Sequence, residues 1–229
     1  MLPFTTIKND SVYNGLMARF MDRAEAGREL STRLEKFVGD PKTVVAGLPR
    51  GGVVVAAHVV ENLHLPVDFI VAKKLGAPGD PELAIGAVTE DGESYIDSEI
   101  VRSEGVEKEY IKEELREKMG EAKRRTELYR GGKVAPSFAG KTAILVDDGM
   151  ATGATMLAAV ASAKKRGAGK VIVAVPVASS EAFEKIKGRV DEVVCLEKDR
   201  YLTSVGEYYD NFPQVEDSEV MEMLKSSYD

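Results

Sequence analysis

The run Ala143-Ile144-Leu145-Val146-Asp147-Asp148-Gly149-Met150-Ala151-Thr152-Gly153-Ala154-Thr155 decides how this chain is read. Its apolar residues, Ala143 to Val146, have the length and composition of a buried strand, which delivers two adjacent carboxylates at its carboxyl end. In open α/β sheets that is the edge where ligands bind. The turn that follows, Ala151, Thr152, Gly153, Ala154 and Thr155, opens a helix. It offers free backbone N–H groups, hydroxyl donors and the positive end of the helix macrodipole, a combination suited to phosphate. Asp147 and Asp148 would repel a phosphate. They suit ribose hydroxyls, which donate hydrogen bonds to carboxylates, or a magnesium ion reached directly or through water. The plain alternative is that the acidic pair merely caps a strand and Thr152-Gly153 merely turns the chain. The whole run is more specific than that, and it is neither a Walker loop nor a Gly-x-Gly-x-x-Gly fingerprint.

Upstream, Ala26, Leu30, Leu34 and Phe37 recur at helical spacing and predict an amphipathic helix over Asp22–Val38. Thr43–Ala46 reads as a strand, Gly47-Leu48-Pro49-Arg50-Gly51-Gly52 as a turn, the segment through Val60 as a helix, and Val67–Ala72 as a second strand ending in Lys73-Lys74. Strand, turn, helix and strand form a βαβ unit and imply a parallel sheet covered on both faces. Glu82–Val88 and Glu93–Ile96 then read as a hairpin around Asp91-Gly92. Ser103–Arg130 reads as one long solvated helix with the stripe Ile111, Leu115, Met119, Ala122, Thr126 and Tyr129.

Hairpin and helix are an insertion, about 75–135, between two halves of the sheet. Thr142–Val146, Lys170–Val175 and Glu192–Leu196 complete the strands, Ala154–Arg166 and Ser180–Lys187 are helices, and a last helix begins near Asp217. The expected architecture is an α/β, Rossmann-like parallel sheet flanked by helices. It forms a single domain over 1–229, with a small hood over about 197–229.

The chain has 229 residues, with 31 Lys and Arg against 38 Asp and Glu, a formal net charge of −7. That balance, with no basic face, argues against nucleic acid as a partner. No stretch reaches the length of about 18 to 20 apolar residues that a membrane span needs. The opening MLPFTTIKND lacks the basic-then-apolar order of a signal peptide, so the expected location is cytoplasmic. The lone Cys195 lies in an apolar run and reads as a core residue, and His58 and His64 have no ligand cluster around them. Catalysis must therefore work without a Cys or His nucleophile.

The strand, acidic pair and Thr-Gly-x-Thr turn together resemble the signature of the type I phosphoribosyltransferases. That resemblance implies that Ala151 to Thr155 bind the 5-phosphate of 5-phosphoribosyl 1-pyrophosphate (PRPP). Asp147 and Asp148 would hold the ribose hydroxyls. Leu48-Pro49-Arg50-Gly51-Gly52 is similar to the family's pyrophosphate loop, in which glycines admit an anion to the backbone and Arg50 supplies a fork of donors. Lys73-Lys74 resembles the basic pair that begins the family's mobile catalytic loop, which makes Leu75–Glu82 a lid or a plain connector. Taken whole, Arg19 to Phe212 looks like a bacterial and archaeal subgroup of this family with Leu-Pro-Arg-Gly-Gly and Asp-Asp-Gly-x-Ala-Thr-Gly-Ala-Thr blocks. The aromatics Tyr201, Tyr208, Tyr209 and Phe212 are candidates for stacking on a base in the hood, or for packing their own segment.

The implied reaction is Mg²⁺-dependent transfer of a phosphoribosyl group to a nucleobase with release of pyrophosphate. Arg50, Lys74, Asp147 and Asp148 would be catalytic, Arg50, Gly51, Gly52, Lys73 and Lys74 would bind pyrophosphate, and Asp147 and Asp148 would hold the metal. The hypoxanthine-guanine branch has an Asp where this chain has Ala151, so a close 6-oxopurine role is not implied. Resemblance also suggests a homodimer. Two other classes remain open: a non-catalytic PRPP-binding regulatory module, and a phospho-acceptor signalling domain. The latter is disfavoured because its acidic pair belongs on the first strand, with the acceptor Asp on a later one.

Overall fold

The computed structural model describes residues 19–225. The opening MLPFTTIKND and the outer ends of the 1–229 span lie outside the described residues. Asp22 accepts a hydrogen bond from the Glu25 N–H and caps α1 (Arg23–Thr32). The helix expected to run to Val38 tightens early. Leu34 N–H bonds to Ser31 O and Phe37 N–H to Leu34 O, which is 3-10 geometry over Glu35–Phe37. β1 (Thr43–Gly47) is buried at every position. α2 (Gly51–Leu63) follows and ends in His64, which adopts the left-handed conformation.

The strand expected over Val67–Ala72 is divided. β2 covers only Val67–Phe69, and Ala72–Ala77 is β3 of a different sheet. Ile70 N–H still reaches Gly47 O while Val71 O accepts from Glu90 N–H, so a run that is apolar apart from Asp68 is shared between two sheets. Apolar periodicity reports burial and says nothing about which sheet does the burying.

β3 pairs antiparallel with β4 (Asp80–Thr89), and β4 with β5 (Ser94–Ile96) around the expected Asp91-Gly92 turn. The segment Leu75–Glu82 is therefore the tip of a hairpin, with Gly79 at φ +79° in its turn. The helix expected over Ser103–Arg130 starts later, as α4 (Lys108–Arg130), and a separate short helix, α3 (Ser98–Ser103), capped by Asp97, precedes it. Gly105, at φ +62°, breaks the path between them. Ile111, Leu115 and Met119 of α4 pack on Leu75, Ile85 and Val88 of the small sheet, whereas Ala122 and Tyr129 reach the main core.

β6 (Thr142–Val146), α5 (Ala154–Lys165), β7 (Lys170–Ser179), α6 (Ser180–Lys187), β8 (Glu192–Asp199) and α7 (Asp217–Lys225) complete the chain. β7 runs past Pro176, where a strand end was expected, and continues pairing with β8 through Ser179 and Asp199.

The five long-range strands form a parallel sheet in the order β2-β1-β6-β7-β8. From β1 the chain winds one way to β2, and from β6 it winds the other way through β7 to β8. Right-handed crossovers then place α2 on one face with α1, and α5 and α6 on the other, so each face carries its own apolar core. The winding reverses between β1 and β6. In such sheets the loops leaving the two strands at the reversal part and open a crevice.

Candidate active site

The two loops at that reversal are the two motifs singled out in the sequence. Leu48 N–H donates to Val146 O across the gap at 2.8 Å, tying the loop after β1 to the end of β6. The first turn of α2 then lies directly against the acidic pair. A Cβ on Gly52 would sit 2.8 Å from Asp147 Cα, Asp147 Oδ1 and Val146 O, and one on Gly51 would overlap the Asp148 carboxylate. Glycine is required here for close approach. The Pro49–Arg50 peptide is cis, and Arg50 stands at the N-cap of α2, with its guanidinium 3.8 Å from Glu216 Oε2.

The turn after the carboxylates is braced from β7. Met150 N–H donates to Val177 O, Ser179 N–H donates to Met150 O, and the Ser179 hydroxyl donates to Ala151 O at 2.6 Å. Gly153, at φ +76°, is the N-cap of α5, and the first turn of that helix carries no acidic side chain. Ala151 and Thr152 are exposed and Thr155 is half-buried. The Ala154 N–H donates weakly to Thr152 Oγ1, at 3.4 Å, and an anion at this end of α5 would meet the positive end of the dipole with no competing carboxylate from the helix.

The two carboxylates differ. Asp147 Oδ1 accepts the Asp148 N–H at 2.9 Å. Burial, reinforced by the adjacent Asp148 charge, holds the Asp147 carboxyl well above the usual carboxylate range. Asp148 is ion-paired: Arg23 Nε lies 2.8 Å from its Oδ2. The same guanidinium donates through Nη1 to Pro213 O at 2.8 Å and sits over the Phe212 ring, with its central carbon 3.6 Å from the ring centre. The Tyr209 hydroxyl donates to Asp148 O at 2.7 Å, and burial raises the Tyr209 hydroxyl pKa. Sequence reasoning missed Arg23. It sits in a charge-rich helix with no motif around it, and its only signal is a cation in the first turn of a helix, where the macrodipole disfavours one.

Two groups of expected site residues stand elsewhere. Lys73 and Lys74 lie in β3 and not at the end of a parallel strand. Lys73 pairs with Glu121 of α4 at 3.1 Å and Lys74 with Glu82 at 2.9 Å. They line a 450 Å³ cavity between the hairpin and α4, whereas Arg50 and Gly51 line a separate 370 Å³ cavity with Arg23, Phe212 and Pro213.

The aromatics are corrected as well. Tyr209 is 5% exposed, packed between Phe20 and Phe212 at 5.4 and 4.9 Å, and Phe212 is held between Tyr209 and Arg23. Neither ring offers a face to a base, because the cluster packs its own segment. Tyr208 donates its hydroxyl to Asp199, and Tyr201 is 79% exposed. Cys195 is no nucleophile: its thiol donates to Glu197 O, and burial pushes it up to about 12.

Among the described residues no three His, Cys, Asp or Glu side chains gather as a metal site, and no helix is long and apolar enough to cross a membrane. Two neighbouring carboxylates, one already ion-paired, fit a magnesium ion of the kind that keeps most of its waters and is carried largely by substrate phosphates.

A strand-end acidic pair and a braced helix N-terminus, set against a glycine loop at the sheet's reversal point, form a crevice of the kind in which α/β proteins bind ligands. Residues 23–211 match the family model described as "Phosphoribosyl transferase domain", and the chain belongs to that family. It is 41% identical over 212 residues to "Putative phosphoribosyl transferase Rv0571c" of Mycobacterium tuberculosis strain H37Rv, and equally to its counterpart in strain CDC 1551. The match covers 93% of this chain and 48% of theirs, so the chain spans about half the length of the curated relatives it matches. The crystal structure of TT1426 from Thermus thermophilus is 41% identical with a TM-score of 0.76, and the alignment covers 91% of this chain and 98% of that one.

Proposed function

We propose that this chain transfers the 5-phosphoribosyl group of PRPP to a ring nitrogen of a nucleobase. The carbon–oxygen bond to pyrophosphate breaks, with the electron pair leaving on oxygen. The base nitrogen supplies the pair for the new bond at the same ribose carbon and then loses its proton to solvent. The observation that carries this reading is the contact of Gly51 and Gly52 with Asp148 and Asp147, which sets a candidate pyrophosphate loop against candidate ribose ligands.

In this mechanism Ala151 to Thr155 bind the 5-phosphate through the N-terminus of α5, and Asp147 and Asp148 accept hydrogen bonds from the ribose hydroxyls. Arg50, with the Gly51 and Gly52 backbone, meets the pyrophosphate. The transition state gathers positive charge on the ribose and negative charge on the leaving group. Carboxylates on one side and a guanidinium on the other lower its energy by preorganised electrostatics and positioning. Asp147 and Asp148 would hold a magnesium ion through water, and it would supply charge neutralisation for the pyrophosphate.

Calorimetry with PRPP and Mg²⁺, followed by a screen of purine and pyrimidine bases for pyrophosphate release, tests this. The expected result is saturable binding and release that depends on one class of base. Absence of binding at millimolar PRPP would overturn the proposal, and binding without turnover for any base would identify a PRPP-binding regulatory module. Sedimentation of the same sample tests the expected homodimer.

A further inference from the structure

Arg23 has no part in the motifs described above, yet it is the residue most tightly engaged with them. It is 8% exposed, and a buried guanidinium is costly unless its charge and donors are met. Here Nε meets Asp148, Nη1 meets the Pro213 carbonyl, and the central carbon sits over the Phe212 ring. Helix α1 itself gains nothing from a cation in its first turn, since the dipole there favours anions. The reason for Arg23 therefore lies outside its own helix.

The surroundings show how it is held. Arg19 and Phe20 donate their N–H groups to Tyr208 O, and Asp210 and Asn211 donate theirs to Phe20 O and Met21 O. The chain entering α1 and the segment after β8 thus run together as a two-stranded strap over the carboxyl edge of the sheet. From this strap two groups reach Asp148: Tyr209 takes its carbonyl and Arg23 takes its carboxylate. The same oxygen, Oδ2, lies against the bare Cα of Gly51, where a Cβ would also stand 2.8 Å from Arg23 Nε.

We propose that Arg23 is a positioning residue for phosphoribosyl transfer, clamped by Phe212 and Pro213 so that it holds the Asp148 carboxylate against Gly51 in the orientation that receives the ribose. The inference rests on the assignment of Asp148 to the ribose hydroxyls. It makes the strap part of the site: a segment distant in sequence from both motifs sets the aim of one of their carboxylates. Arg is suited to the task and Lys is not, because only a planar fork can meet a carboxylate and a carbonyl while stacking on a ring.

The test uses the full chain, with Arg23→Gln, Arg23→Lys and Phe212→Leu. Phe212→Leu removes the stacking surface and leaves every charge in place, and it carries the test if Arg23→Gln fails to fold. Ligand-free crystal structures of the variants are expected to show the Asp148 carboxylate rotated away from Gly51. Calorimetry with ribose 5-phosphate is expected to show affinity reduced about tenfold in Arg23→Gln, the worth of one charge-assisted hydrogen bond. The reduction should be smaller in Arg23→Lys and Phe212→Leu. Affinity for inorganic phosphate, which reads the α5 turn alone, is expected to stay within about twofold, a separation that a general loss of structure would not produce. An unmoved carboxylate in the variants overturns the positioning role, whatever the ligand data show. Wild-type protein without affinity for ribose 5-phosphate overturns the functional reading instead.

Discussion

Gly52 of α2 and Asp147 at the end of β6 are in backbone contact, so that a single methyl group at position 52 would stand 2.8 Å from both the Cα and Oδ1 of Asp147. Loop and strand end therefore share one surface, and several measurable consequences come from that closeness.

Gly52→Ala gains helix propensity of about 1 kcal/mol. Against this, the methyl meets Asp147 Cα and Val146 O, which are backbone atoms that cannot swing aside. Overpacking of this kind costs about 1 to 3 kcal/mol, so a net loss of up to about 2 kcal/mol is expected in urea denaturation. Gly188→Ala, at a position with open space around it, should change stability by less than about 0.5 kcal/mol.

Asp148→Asn keeps the shape of the side chain and removes its charge. Hydrogen bonds to a charged group are worth about 1.5 to 3 kcal/mol, so phosphoribosyl transfer should fall about 10- to 150-fold, while circular dichroism reports an unchanged fold. Wild-type turnover in this variant would remove Asp148 from the site.

Arg50 and Lys74 separate the two candidate anion contacts. Arg50 stands at the glycine loop, whereas Lys74 is 38% exposed in its side chain and paired with a fully solvated Glu82. Arg50→Gln is expected to weaken pyrophosphate binding at least about tenfold. Lys74→Gln is expected to weaken it less than about threefold and to leave thermal stability unchanged, as for other surface ion pairs. A larger effect at Lys74 would show that the hairpin already reaches the anion in the resting complex.

Glu90 predicts a pH dependence away from the site. It follows β4 and faces Arg166, Asp91 and Asp68. Its Oε2 is buried without a partner, and burial raises its carboxyl to about 7. The folded protein therefore keeps a proton that the unfolded chain, titrating near 4.5, releases. By linkage, the stability present below pH 4.5 is lost as pH rises toward 7 and stays lost above it. Glu90→Gln should match wild type near pH 4.5 and exceed it by about 1 to 3 kcal/mol at pH 8. Equal stability of the two proteins at pH 8 would contradict this.

Much of the scaffold was legible because its signals are local. β6 and α6 fall at the expected residues, and α7 begins at the expected Asp217, since an apolar run, a Ser N-cap and an acidic first turn each act within a few residues. The α5 turn was legible for the same reason, because its free N–H groups follow from the start of a helix. The misreading that moved Lys73 and Lys74 has a definite cause. Val67–Ala72 is apolar apart from Asp68, and no local rule says that the chain leaves the first sheet after Phe69 and enters another at Ala72. The order of strands decided that, and with it the removal of Lys73 and Lys74 from the parallel-sheet edge.

By itself, then, the sequence determined that this chain builds a parallel α/β sheet and carries an acidic pair followed by an anion turn, and a glycine loop with an arginine. Those are properties of contiguous residues, set by backbone geometry and side-chain chemistry. Tertiary structure alone decided that the two motifs touch, that Tyr209 and Phe212 face inward, and that Arg23 reaches Asp148. Each of these depends on segments far apart in the chain meeting at the reversal of the sheet, where topology chooses the neighbour and no local pattern names it.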